Sequence, residues 1–236
     1  MLGKDVYFRG LKIEKAYHKG EMIIGEAFSL AGRLYLCGFG PNSNCELNID
    51  TLATINTVSS SFSYPSGIGG ISGRLYHCDN SSDANYELNI DTLATINAVS
   101  SPGITPFGIG GISGRLYHCD HTTKKNYELN VDTLAIINTV STPSTNPRGI
   151  GGISSRLYHC DNGTSANYEL NIDTLATINT ISSPGGLATG IGGISSRLYH
   201  CDLITDVNYE LNVDTLAIIN TVASPNSSSA GIGGVK

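Results

Sequence analysis

The sequence predicts an all-β fold, a β-propeller of four-stranded blades, from three observations. They are a 41-residue period, four short β-prone runs in each period, and no stretch of helical periodicity. Arg33, Arg74, Arg115, Arg156 and Arg197 mark the period, and RLYHCD stands intact in the last four copies. One copy contains GIGGI (67–71), RLYHCD (74–79), NYELNID (85–91) and LATINAV (93–99). Each run is rich in Ile, Leu, Tyr, Val or Thr and is bounded by Gly, Ser, Asn, Asp or Pro, so each reads as a strand. Four strands in about 40 residues match a propeller blade, whereas leucine-rich and ankyrin-type units are shorter and contain helices.

The first strand, GIGGI, is glycine-rich, as the innermost strand of a blade must be where blades crowd a narrow axis. The second and third strands read as a hairpin. If Cys78 faces Tyr86, then Tyr76 faces Leu88, and His77 meets Glu87 on the other side. That alignment predicts structural His–Glu hydrogen bonds for His77 with Glu87, His118 with Glu128, His159 with Glu169 and His200 with Glu210. The first repeat has Leu36 in place of the histidine and keeps Glu46. Adjacent His and Cys point to opposite faces of a strand, so they cannot grip one metal, and no metal site or cofactor is expected. Asp50, Asp91, Asp132, Asp173 and Asp214 precede Thr at the turn into the fourth strand, where an aspartate can accept backbone N–H bonds.

Five cysteines (Cys37, Cys78, Cys119, Cys160 and Cys201) recur once per repeat, the spacing of a small buried side chain rather than of a disulfide framework. Cys45 stands where other copies have tyrosine. The hairpin alignment places it opposite Cys37, which leaves two free thiols or a cross-strand disulfide open.

The ends bear on closure. Residues 1–25 align without gaps to 42–66 and so can supply the third and fourth strands of a blade, while GIGGVK (231–236) is another first strand. Five repeats (26–66, 67–107, 108–148, 149–189 and 190–230) with closing strands 1–25 and 231–236 predict one propeller domain over 1–236. Six blades are favoured, the sixth assembled from both termini. Five blades with an N-terminal appendage is the alternative, and a ring shared between chains is a third.

The elements RLYHCD, YELNIDT and ATINTV resemble the propeller repeats of the YVTN and NHL type over residues 26–235. That resemblance implies the fold and leaves the role open, since such propellers serve many functions. Separately, KIEKAYHKGEMIIG (12–25) resembles a hairpin phrase of phage tail-associated proteins, which implies association with a virion.

Composition excludes some functions. A net charge of −6 with only 14 % charged residues offers no basic stripe for a nucleic-acid backbone. The first 25 residues interleave Lys, Glu and His without the apolar run of a signal peptide or a membrane span, so a soluble protein is expected. No nucleophile–base motif appears, and every acid is either repeated or isolated in a loop, so an enzyme is not expected.

Differences between the copies carry the functional reading. The strands barely change, yet 79–85 and 101–107 differ freely from their counterparts (DNSSDAN, DHTTKKN, DNGTSAN and DLITDVN; SPGITPF, TPSTNPR, SPGGLAT and SPNSSSA). In a four-stranded blade these two connections emerge on one face of the disc. The variable face is therefore the expected binding surface, through Tyr64, Asn80, Asp83, Phe107, His121, Lys124, Lys125, Arg148, Thr164 and Thr205. Its polar loops suit a protein or glycan partner bound by a monomeric ring or a homo-oligomer. A structural or oligomerising scaffold without a specific ligand is the alternative.

Overall fold

The computed structural model describes the strands 6–8, 11–13, 16–18 and 21–23, and residues 32–39, 42–60, 62–225 and 228–236. The chain divides into two units, Met1–Ala31 and Gly32–Lys236. In the first, Val6–Phe8 pairs with Leu11–Ile13 and Ala16–His18 pairs with Glu21–Ile23. Much of the 12–25 phrase lies outside the described residues. Among the described residues, no helix is long and apolar enough to cross a membrane.

The second unit contains five antiparallel four-stranded sheets. Blade 2 defines the pattern: Pro65–Ile71 is innermost, followed by Arg74–Asp79, Ala84–Leu88 and the outermost Thr95–Ser100. Blades 3, 4 and 5 repeat it with inner strands Pro106–Ile112, Pro147–Ile153 and Ala188–Ile194. Blade 1 is composite. Its inner strand is Ser229–Val235, which pairs with Arg33–Gly38 and so joins Ser43–Leu47 and Thr54–Ser59.

This overturns the expectation of six blades. The first repeat lacks a GIGGI run of its own, and the C-terminal strand fills that place rather than founding a new blade with residues 1–25. The described strands of that N-terminal segment pair only with one another.

Glycine closes the ring. A Cβ built on Gly67, Gly108, Gly149, Gly190 or Gly231 would lie 2.7–2.9 Å from the Cα of the corresponding glycine of the next blade, and the last contact returns to Gly67. Only a residue without a side chain permits this approach of five backbones.

Between blades the interface has an apolar part and a charged part. Tyr35, Tyr76, Tyr117, Tyr158 and Tyr199 are fully buried. Each hydroxyl donates to a carbonyl of the next blade (Ile90, Val131, Ile172, Val213 and Ile49) at 2.7–2.9 Å. Arg74 forks onto Glu87 of its own blade through Nε and Nη2, both at 2.7 Å, and reaches Asp132 of the next blade through Nη1 at 2.6 Å. Arg33, Arg115, Arg156 and Arg197 repeat the arrangement, and Arg197 completes the circuit on Asp50. The aspartates are largely exposed, so each inter-blade ion pair contributes at most about 1 kcal/mol. Burial of the tyrosine rings carries more of the stability.

Three finer expectations are corrected. The hairpin pairs His77 with Tyr86, Tyr76 with Glu87 and Leu75 with Leu88, because four residues (80–83) separate the last paired residues, Asp79 and Ala84. That one-residue difference in parity turns every side chain to the other face. Glu87, Glu128, Glu169 and Glu210 therefore bind arginine and not His77, His118, His159 and His200. Among the described residues, His77 and His159 have no hydrogen-bond partner at either ring nitrogen.

The same parity separates Cys45 from Cys37. Cys45 pairs with Leu36 while Cys37 pairs with Asn44, and all six cysteines are buried and outside any disulfide.

At the turn into the outer strand, the acceptor is the asparagine and not the aspartate. Asn89 Oδ1 takes the N–H groups of Asp91 at 3.0 Å and Thr92 at 2.9 Å, which leaves Asp91 free to meet Arg33. The turn also holds Leu93 at φ 57°, an uncommon conformation for leucine, and the buried equivalents Leu52, Leu134, Leu175 and Leu216 lie at φ 55–57°.

Candidate functional site

The loop-bearing end of the ring is organised by the aspartates that close RLYHCD. Asp120 Oδ2 accepts the backbone N–H of Thr105 at 2.8 Å, and its Oδ1 accepts the N–H and hydroxyl of Thr123 at 2.7 and 2.8 Å. The loop entering the blade is thereby tied to the loop between its second and third strands. Asp79, Asp161 and Asp202 do the same, receiving the N–H groups of Tyr64, Asn146 and Leu187 at 2.6–2.7 Å. Four different residues donate the same bond, because the donor is the backbone. The loops can therefore change sequence without losing their anchor.

A hydroxyl relay extends each anchor. Tyr127 bonds to Thr123, and Tyr86, Tyr168 and Tyr209 meet Ser82, Thr164 and Thr205 in turn. The hydrogen bonds outweigh burial and hold the carboxyls of Asp79 and Asp161 below the usual aspartate range. Blade 1 has Gly38 at this position and lacks the anchor.

The inner strands enter this end through a β-bulge. Pairing shifts register between Pro65 and Gly67, and at the equivalent point of every blade. The bulged residues are Ser66, Phe107, Arg148, Thr189 and Ala230, different in all five blades although the flanking strands are nearly identical. Bulges re-aim side chains next to binding sites. Here they give the five blades unlike residues at one equivalent position, four of them buried and Arg148 partly exposed. Ser66 and Thr189 turn their hydroxyls onto the carbonyls of Pro106 and Ser229 at 2.6 and 2.8 Å.

On the other side of the ring the bulge position is aromatic and cationic. Arg148 lies over the Phe107 ring at 4.0 Å, and His121 meets the same ring edge-on at 5.8 Å. Tyr64, 41 % exposed, packs on Phe39 with ring centroids 4.2 Å apart. Burial, then the neighbouring Arg148, holds the His121 imidazole below its usual range, with Lys124 adding to the effect. Burial likewise lowers the Arg148 guanidinium.

Of the expected site residues, the structure groups Phe107, His121 and Arg148, with Tyr64 and Lys124 within electrostatic reach. It assigns others to holding the loops. The Thr164 and Thr205 hydroxyls donate to Asp161 and Asp202. Asn80 donates its N–H to the Tyr64 carbonyl, and Asp83, at φ 50°, accepts from Ser101. Lys125 is exposed and pairs with Asp120 in register. Sequence reasoning missed the anchoring aspartates, although their invariance at the end of RLYHCD was the available signal. It also missed Phe39 and the shared geometry of the five bulges.

The opposite end is a contrast in kind. It bears a cup of about 280 Å³ lined by the same Gly-Ile-Ser turn in successive blades, with Lys236 at its edge. The four strand histidines are fully buried, His118 and His200 meeting the Ser101 and Ser183 hydroxyls at 3.1 Å, and desolvation lowers each to about 4.

No protein-family model matches the chain, and no curated protein matches it in sequence. Solved structures match in fold. In the crystal structure of a nidogen/laminin complex, one chain is similar with a TM-score of 0.59, 15 % identity and 93 % of both chains covered. Glutaminyl cyclase from Myxococcus xanthus gives 0.61 at 13 % identity, over 68 % of this chain and 71 % of that one. Virginiamycin B lyase from Staphylococcus aureus gives 0.53 at 14 %, over 86 % and 71 %. At such identities the likeness defines the fold alone, a β-propeller of repeated four-stranded blades. The resemblance of 12–25 to phage tail-associated phrases finds no support in these structures.

Proposed function

We propose that the chain is a non-catalytic recognition module that binds a carbohydrate at the loop-bearing end of the ring. The observation that carries the reading is the set of five bulges. One backbone geometry is repeated five times and places unlike residues at equivalent positions of the ring, Ser66, Phe107, Thr189 and Ala230 buried and Arg148 partly exposed. Such a ring suits one asymmetric ligand rather than five equivalent ones. Tyr64, which is exposed, supplies a stacking surface, and the Ser, Thr and Asn around it supply hydrogen-bonding groups of the kind saccharides use. The anchoring aspartates are occupied by backbone donors and the histidines are buried, so the groups best suited to acid–base chemistry serve the fold.

The test is binding to a panel of immobilised glycans, with Tyr64→Ala on the loop-bearing end and Ser113→Ala on the opposite end. The expected result is saccharide binding that weakens about 10-fold in Tyr64→Ala, the loss of one stacking contact, and is unchanged in Ser113→Ala. Binding that follows Ser113 would move the site to the other end. Capture of no glycan would leave a scaffold or protein-binding role in its place.

A further inference from the structure

Six arginines lie among the described residues, and they divide sharply. Arg33, Arg74, Arg115, Arg156 and Arg197 each contact two carboxylates. Arg148 makes no ion pair among the described residues, and its Nε is buried with no hydrogen-bond partner. A guanidinium in that state retains unused donors in a partly desolvated setting, where an anion is bound more strongly than in water.

The surroundings explain why Arg148 keeps its donors free. Its position is a β-bulge, which turns it out of the ladder and onto the Phe107 face at 4.0 Å. The ring holds the guanidinium by a cation–π contact, which orients a cation without occupying its N–H groups. Asp161, a nearby carboxylate, is already occupied by the N–H groups of Asn146 and Thr164 at 2.7 and 2.8 Å. Lys124 and His121 add donors beside it, and the carboxylates that face them, Asp120 and Asp161, are already engaged by loop N–H groups.

We infer that Arg148, seated on Phe107 beside His121, is the anchor for an anionic group, carboxylate or sulfate, carried by an acidic saccharide. The inference rests on the carbohydrate reading above and narrows it to charged sugars. Arg148 acts as a binding residue: its planar fork matches a carboxylate or sulfate edge, which the shorter ammonium of lysine engages as a point charge.

The experiment follows the His121 ring resonances by NMR in the intact protein during titration with glucuronate, glucose 6-sulfate or glucose. Arg148→Gln and Arg148→Lys are run in parallel with wild type. Both anionic sugars are expected to shift His121 and to raise its pKa, because the bound charge offsets Arg148, while glucose leaves the pKa unmoved. Preference for one anion identifies the natural substituent. Arg148→Gln is expected to abolish the anion response and Arg148→Lys to weaken it about 10-fold, with the far-ultraviolet spectrum unchanged as a check on folding. Equal responses to glucose and glucuronate, or an anion response that survives in Arg148→Gln, would overturn the inference and leave the carbohydrate reading intact. An anion response without binding to any glycan on the panel would instead retain the anion site and overturn the carbohydrate reading.

Discussion

The two ends of the ring are built from the same repeat and follow opposite rules. At the turn-bearing end, side chains cross from blade to blade. Arg115 joins Glu128 to Asp173, and Tyr117 reaches the Ile172 carbonyl. A change in one blade there must be matched in its neighbour. At the loop-bearing end, the main bonds stay within a blade and use backbone donors, as Asp120 does with Thr105 and Thr123. The anchor of each blade's loops therefore does not depend on its neighbour. Diversity in the loops is found where the anchoring contacts are local and use backbone donors, whereas the bulge residues also reach across, as Ser66 does to Pro106 and Arg148 to Phe107.

The strongest way to break this comparison is at the axis, which both ends share. Gly110→Val would place a Cβ 2.7 Å from the Ile150 carbonyl oxygen and 3.0 Å from the Gly151 Cα. Neither backbone can withdraw while the ring is closed. The expected cost is about 4 kcal/mol or more, seen as loss of the cooperative urea transition. A wild-type transition would show that the ring tolerates wider blade spacing.

The next effect separates blade 1 from the others through acid. His77, His118, His159 and His200 have folded pKa values near 4, set chiefly by burial and partly offset by the neighbouring Asp79, Asp120, Asp161 and Asp202. The unfolded chain takes up those protons near the ordinary histidine pKa of about 6.5. The folded state is therefore at its full stability above that value and loses it as pH falls from there towards 4, by up to about 3 kcal/mol per histidine. Blade 1 carries Leu36 instead. His77→Leu with His159→Leu deletes the two rings that lack hydrogen bonds, and should remove about half of the acid-induced shift in the urea midpoint between pH 7 and 4.5. An unchanged shift would show that these two rings do not carry the acid sensitivity, since the loop-anchoring aspartates, held below the usual range, lose their contribution only below this window.

The smallest effect lies in the turns after the inner strand. Gly73 and Gly114 lie at φ 75° and 77°, whereas Ser155 and Ser196 adopt φ 66° and 64° at the equivalent positions. Ser155→Gly should relieve that strain and stabilise by about 0.5 kcal/mol. Gly73→Ser, with nothing within 4 Å of the added Cβ, should cost a similar amount. Equal and opposite changes in melting temperature would confirm that this end is constrained by contacts between blades rather than by its turns.

The period, the four strands per unit and the crowded inner glycines were all legible in the sequence, because each is a local pattern repeated five times. Blade number was not. The strand that completes blade 1 lies some 200 residues from its partner Arg33, and residue arithmetic cannot tell a missing strand from a displaced one. The hairpin register failed on a single residue of loop length, and with it went the His–Glu pairs. At the candidate site, the variable windows were visible by comparing copies. Their convergence on Phe107, His121 and Arg148 was not, because a bulge is a property of pairing and leaves no mark on composition.

Closure by the final strand also bears on how the ring yields to force. Val235 and Arg33 are cross-strand partners, so the two ends of the propeller emerge side by side. Tension applied between them loads that rung first, then Gly234 with Leu34, and so on towards Gly38. The rungs part in sequence, like a zip, instead of resisting together in shear. The closed ring thus has a soft direction, along the line that joins its own two ends.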